Sequence, residues 1–210
     1  MTMIRRRVSA AIAATMLLTA GAACSNDEQH DRPAVDVSAA PADVTWRSVA
    51  GLEVPTSRDD GPAKTSPPQG YSHTPQGAAL AAANGQAALA TAPDSTWPDV
   101  VRTVTAPGAG RDQFAQARTL MSVSGSVDSE DAATFAGFKV TEYTPEKAIV
   151  LLATTTPPGP DDAVLRTAYP VQLAWTGGDW KLVLPTQSDD IDATEIADLD
   201  GFTTWKEDGS

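Results

Sequence analysis

The sequence predicts an α+β domain in which helices pack on a curved, mainly antiparallel sheet. Three observations carry that prediction. Residues 65–93 contain no Asp, Glu, Lys or Arg, and they include the run GAALAAANGQAALA, a small-residue helix with no polar face. Two later segments repeat apolar side chains at helical spacing. From Ala136 onward the apolar period drops from about 3.6 residues to about 2, the pattern of a meander.

The ends are read before the domain. Arg5, Arg6 and Arg7 precede an apolar stretch from Val8 to Ala20, which has the length of a secretory signal and is too short for a membrane span. The single cysteine, Cys24, follows Gly21-Ala22-Ala23 and precedes Ser25-Asn26-Asp27-Glu28. That arrangement resembles a bacterial lipoprotein signal, with Gly21 standing where the family usually has Leu or Val. The resemblance implies that Cys24 becomes the lipidated first residue and anchors the chain to the outer face of the cell membrane. The alternative is cleavage at Ala20-Gly21-Ala22 with Cys24 left free. Residues 1–23 are thus assigned to a signal peptide and 24–44, rich in Ala, Asp, Pro and Ser, to a flexible tether. A coil of that length spans about 25 Å.

The domain is expected over residues 45–186. It opens near Trp46, and Val49, Leu52 and Val54 supply a first strand closed by Pro55. A Pro/Gly/Ser-rich loop, 57–69, leads to the extended piece Gly70–His73. Thr74 then caps the helix and Pro75 takes its first position, where a missing N–H is harmless. Trp97, Val100, Val101 and Val104 form one face of a second helix, capped by Ser95 or Thr96 and ended by Ala106-Pro107-Gly108. Phe114, Ala117 and Met121 give the stripe of a third, with Asp112 and Arg118 placed to suit its dipole.

In the meander, Thr144-Pro145-Glu146-Lys147 reads as a tight turn. A two-residue hairpin there sets Val140 opposite Leu151, Phe138 opposite Ala153 and Glu142 opposite Ile149. The next strand carries Leu165, Tyr169, Val171, Leu173 and Trp175 on one side, and Pro170 within it marks an edge or a bulge. The last hairpin, AWTGGDWKLVL, is the sharpest signal. With Gly177-Gly178 as its loop, Trp175 faces Trp180 and Thr176 faces Asp179. That register puts Val171, Leu173, Trp175, Trp180, Leu182 and Leu184 on one face, against which the uncharged helix is expected to pack. Residues 187–210 form an acidic tail, expected to fold back through Phe202 and Trp205.

Three helices followed by a twisted meander resemble the nuclear-transport-factor-like cone, and W-x-G-G-D-W-K-L is similar to the last hairpin of exported members of that superfamily. A narrower resemblance runs from about Trp46 to Trp205, through GLEVPTSRDDGP, GYSHTPQGAALAA, PGAGRDQFAQAR, GFKVTEYTPEKAIVLLAT, WTGGDWKL and DLDGFTTW. These pieces resemble an uncharacterised domain family of actinobacterial exported proteins and lipoproteins, often linked to conjugative elements. What the resemblance implies is a fold, an envelope location and a link to conjugation. It carries over no catalytic residue.

Charge narrows the partners. Losing the three arginines of residues 1–23 takes the formal charge from −12 to −15, which repels nucleic acid. Of the two histidines, His30 lies in the tether, and His73 stands before the uncharged helix, where its ring would line the mouth of a cone cavity. Tyr71, His73 and Glu142 are the candidate mouth residues, with Tyr143 on the strand face opposite Glu142. In the tail, Asp198, Asp200, Gly201 and Glu207 match four positions of a calcium loop, but Ile196 replaces the first ligand and no exiting helix follows. No metal or cofactor is therefore assigned. Ser124-Gly125-Ser126 has no histidine nearby in sequence and reads as a turn.

The expected function is that of a non-catalytic envelope lipoprotein that binds another protein, with the membrane held through its N-terminal lipid. Two alternatives stand beside it. One is a module taking a small apolar ligand in the cone cavity; the other is an isomerase- or hydrolase-type enzyme using His73 and Glu142.

Overall fold

A computed structural model describes residues 35–123, 127–128, 130, 132–158, 164–189 and 191–205. Helix α1 (Pro75–Thr91) begins as its sequence dictates, with Pro75 in the first turn and Thr74 Oγ1 accepting the Gly77 N–H at 3.0 Å. Along its whole length only Gln76, Gln86 and Ala90 escape burial. One flank lies on a sheet built from β5 (Thr134–Tyr143), β6 (Lys147–Thr155), β7 (Arg166–Thr176) and β8 (Asp179–Val183). The other is covered by β1 (Thr45–Val49), β2 (Leu52–Thr56), β4 (Pro68–Gln69) and helix α2 (Trp97–Val104). Small residues make this possible. A Cβ on Gly85 would lie 2.1 Å from Leu182 Cδ1.

The first strand proves to be a hairpin. Ala50 and Gly51, at φ 51° and 92°, turn β1 back into β2, and Trp46 pairs with Pro55. Only glycine fits the second position, since a Cβ there would meet the Val127 carbonyl oxygen at 1.9 Å. The loop expected at 57–69 contains a two-residue ladder, β3 (Lys64–Thr65) on β4.

The main sheet is antiparallel. Its order is β10-β5-β6-β7-β8, with β9 (Thr194–Glu195) also on β7 and β10 (Thr203–Thr204) on β5. The last hairpin has the expected register, Trp175 on Trp180 and Leu173 on Leu182, with Gly177 and Gly178 at φ 65° and 79°. The β5–β6 register differs from expectation. Glu142 pairs with Ile149 next to the turn, but Thr141 bulges out, so Val140 meets Val150 and Phe138 meets Leu152. The bulge turns Ala148, Val150 and Leu152 inward together with Phe138 and Val140, and sends Ile149 and Leu151 to the other face. Pro170 sits opposite Leu151 with no register shift. Its other side falls between the stretches of β7 covered by β9 and β8, so it meets the edge condition locally.

Helix α3 (Ala109–Arg118) departs from its predicted stripe. Met121 lies beyond the helix and is 60 % exposed, whereas Gly110 and Arg118 are buried with Phe114 half-buried between them. Arg118, in the last turn of α3 as expected, is 4 % exposed. Its guanidinium donates to the Ala92 carbonyl at 3.0 Å, the Met121 carbonyl at 2.9 Å and Asp94 Oδ1 at 2.8 Å, and lies over the Trp97 ring. Those bonds close the C-terminus of α1 and the start of α2 onto the end of α3.

Both flanks join the fold. Within the stretch expected as tether, the Gln76 amide donates to the Asp36 and Ala39 carbonyls at 2.9 and 3.0 Å, and Pro41 is fully buried. At the other end, β10 delivers Trp205, 1 % exposed, against Phe138 with ring centroids 4.6 Å apart.

Close backbone approach gives a test. A Cβ on Gly110 would stand 1.9 Å from the Leu184 carbonyl oxygen, whereas one on Gly108 meets nothing within 4 Å. Gly110→Ala should therefore lower stability by about 1–3 kcal/mol in urea unfolding. Gly108→Ser, at an extended helix N-cap, should lose none.

Candidate functional site

The segment Gly70–Thr74 is held by side chains from three parts of the chain. Asp179, at the start of β8, accepts the Gly70 N–H at 2.8 Å on Oδ2, and those of Tyr71 and Trp180 at 3.0 Å on Oδ1. Asp60 Oδ1 accepts the Ser72 hydroxyl at 2.6 Å and the Thr74 hydroxyl at 3.1 Å. The Trp180 indole donates to the Ser72 carbonyl at 3.1 Å, and the Tyr143 hydroxyl to the His73 carbonyl at 3.1 Å. The extended piece is thereby fixed at the α1 N-terminus, where orphan N–H groups need partners.

His73 is occupied. Its ring stacks on Trp175 at 3.9 Å and 10°, meets the edge of Trp180 at 5.7 Å, and bonds through Nε2 to the Pro145 carbonyl. Tyr71, expected at a mouth, is 7 % exposed, and its hydroxyl is buried without a partner. Glu142 points to the other face of the sheet, where it lines a groove with Lys147, Ile149 and Gln172 that His73 does not line. Tyr71 and His73 are neighbours, but Glu142 does not converge on them. Between α1 and the sheet, Leu80, Phe138, Val150 and Leu152 are 0 % exposed, so side chains fill the face where a cone cavity was expected.

Other sequence candidates are placed more simply. Cys24, His30, Ser124-Gly125-Ser126 and Glu207 lie outside the described residues. Asp198 Oδ1 accepts the Asp200 N–H at 2.9 Å, and Gly201 has φ 77°, so this stretch is a turn leading into β10.

Two features escaped the sequence reading. A groove of about 540 Å³ runs between the first hairpin and β5, lined by Trp46, Glu53, Thr134, Phe135, Ala136 and Trp205. A smaller cavity of about 170 Å³ lies behind α1, with Arg47 and Asn84 in its wall. The signal for the second was present, because Asn84 is an amide in the middle of a helix with no polar face and had to meet a partner. The groove had no local signal, since its two tryptophans are separated by most of the chain.

The family model described as Domain of unknown function (DUF8175) matches residues 7–204. The chain belongs to that family. No curated protein and no solved structure matched the DUF8175 chain. The match takes in helices α1 to α3 and strands β1 to β10, so the knot around Gly70–Thr74, the smaller cavity and the groove apart from Trp205 fall within the family domain.

Asp179 supplies the first test of the knot. Asp179→Ala removes the acceptor of all its N–H partners and should cost about 2 kcal/mol in denaturant unfolding, more than Asp179→Asn. The second test is alkaline. Burial lifts all three tyrosines: Tyr71 well above its usual value of 10.0, with the Asp179 carboxylate adding and Arg47 opposing; Tyr169 to about 12; and Tyr143 more modestly. Because the folded state favours the neutral phenol, its contribution is complete below about pH 10 and falls as pH rises from there towards 12. Absorbance titration should show little tyrosinate at pH 10 and its appearance together with unfolding.

Proposed function

We propose that this DUF8175 domain is the binding domain of a cell-envelope lipoprotein, exported by residues 1–23 and anchored through a lipid on Cys24. Its task on this reading is to hold another envelope protein, in a conjugation or secretion assembly, and it performs no catalysis. The observation that carries it is the groove beside half-buried Trp46, floored by the buried Phe135 and Trp205, with Glu53 and Thr134 exposed at its rim. A partly exposed tryptophan beside an apolar groove of this size is a usual anchor of a protein contact. The placing of Glu142 on the sheet face that His73 does not share supports the same reading, since the enzymatic alternative needs both at one pocket. Three helices ahead of a meander, with α1 laid on one face, support the nuclear-transport-factor-like description of the fold.

The partner segment is apolar at its centre and basic at its flanks, matching the tryptophans, Glu53 and a chain of formal charge −12. A photocrosslinker at Thr134 or Glu53, both exposed, should trap one and the same envelope protein in intact cells. One at Lys64, exposed on β3, should not. Equal trapping from all three positions, or none from the first two, would refute the proposal. For the anchor, Cys24→Ala should move the protein from the membrane to the soluble fraction, and a variant that stays membrane-bound would remove the lipid from the account.

A further inference from the structure

The cavity behind α1 is left unused by the partner-binding reading and shares no residue with its groove. It lies between the first hairpin, the 65–68 loop and the junction of α1 with α2. Its volume of about 170 Å³ resembles that of cavities that hold a benzene-sized molecule, about 150 Å³. Arg47 is the only charged residue in the wall, in a chain with 27 acidic and 15 basic side chains. None of the ion pairs among the described residues involves it.

Two polar atoms in this wall want opposite partners. Arg47 Nη2 donates to the Thr65 carbonyl at 3.4 Å, but its Nε is buried without an acceptor. Asn84 is 2 % exposed, and its Nδ2 donates to the Pro55 and Leu80 carbonyls at 2.8 and 3.0 Å. Those two acceptors fix the orientation of the amide, so the buried Oδ1 is the atom left without a donor. Arg47 and Asn84 thus line one small space, each carrying a buried polar atom without a partner, and buried groups of this kind are seldom left unpaired. Val49, Pro68, Ala88 and Val100 make the rest of the wall apolar, with Ser66 and Thr96 exposed at the rim.

We infer that this cavity binds a small monocarboxylate that also carries a hydroxyl or amino donor, such as a 2-hydroxy acid or an amino acid. The carboxylate pairs with Arg47, the donor meets Asn84 Oδ1, and a short alkyl group lies against Val49 and Val100. The acidity of the whole chain selects against multiply charged anions such as inorganic phosphate.

The test uses the full chain, isotope-labelled and kept soluble in detergent. Lactate, alanine, acetate and phosphate are titrated while the Asn84 side-chain amide and the Arg47 Nε–Hε signals are followed. Lactate or alanine should shift both signals saturably below about 10 mM. Acetate, which lacks the donor, and phosphate should bind at least about tenfold more weakly. Arg47→Met should weaken binding by about tenfold or more with the unfolding midpoint retained. If that variant does not fold, Arg47→Lys keeps the charge but not the fork, and should bind measurably more weakly than the parent chain. The inference is overturned if neither lactate nor alanine saturates, as for a cavity holding water alone. Equal affinity for acetate or phosphate overturns it too, and so does undiminished binding by the arginine variants. Failure here leaves the crosslinking at Thr134 and Glu53 untouched, so the two readings are judged separately.

Discussion

Burial of α1 on every side is the constraint to which the rest of the fold answers. A helix of alanine, leucine and glycine has no face for water, so no single sheet can satisfy it. The meander covers one flank, and the first hairpin, β4 and α2 cover the other. Such a helix cannot use solvent to satisfy its ends either. Its N-terminus is served by Thr74 within a knot tied by Asp60 and Asp179, and at its C-terminal end the Ala92 carbonyl is met by Arg118. Side chains from three other parts of the sequence are thereby drawn to the two ends of one helix.

That constraint explains why the chemistry-bearing residues near α1 also serve its packing. His73 has the residue type and position of a general base, but its ring braces the Trp175–Trp180 hairpin and its nitrogen holds the Pro145 carbonyl. Tyr143 spends its hydroxyl on the His73 backbone. A stacking ring with one polar edge suits a place where an apolar face must end at a turn, and histidine provides both. The α1 N-terminus is thus a joint of the fold.

How much of this the sequence displayed depended on the range of the interaction. Thr74-Pro75 and Gly177-Gly178 are local signals, and both elements formed as read. The β5–β6 register could not be read, because the bulge at Thr141 leaves no mark in composition; the alternation simply slips by one residue between Val140 and Glu142. The bonding of Arg118 was hidden for a related reason. In sequence it is a cation at a helix end, which the dipole alone accounts for, and only the fold brings three acceptors to it. Of the candidate site, Tyr71 and His73 were correctly placed beside α1, but Glu142 could not be. Which face it takes depends on that bulge.

The same packing decides where binding surfaces can occur. A helix that fills the inner face of the sheet leaves no room there, as the 0 % exposure of Leu80, Phe138 and Leu152 records. The two pockets described above border the elements added around the meander: the first hairpin, the 65–68 loop and the closing strand β10. The aromatic groove and the Arg47–Asn84 cavity both border that hairpin, one on each side of it. Within the hairpin, Trp46 faces the groove and its neighbour Arg47 faces the cavity, as alternation along a strand requires. One strand thus presents an aromatic anchor on one face and a cation on the other. Any movement of it against α1 would therefore be felt at both pockets.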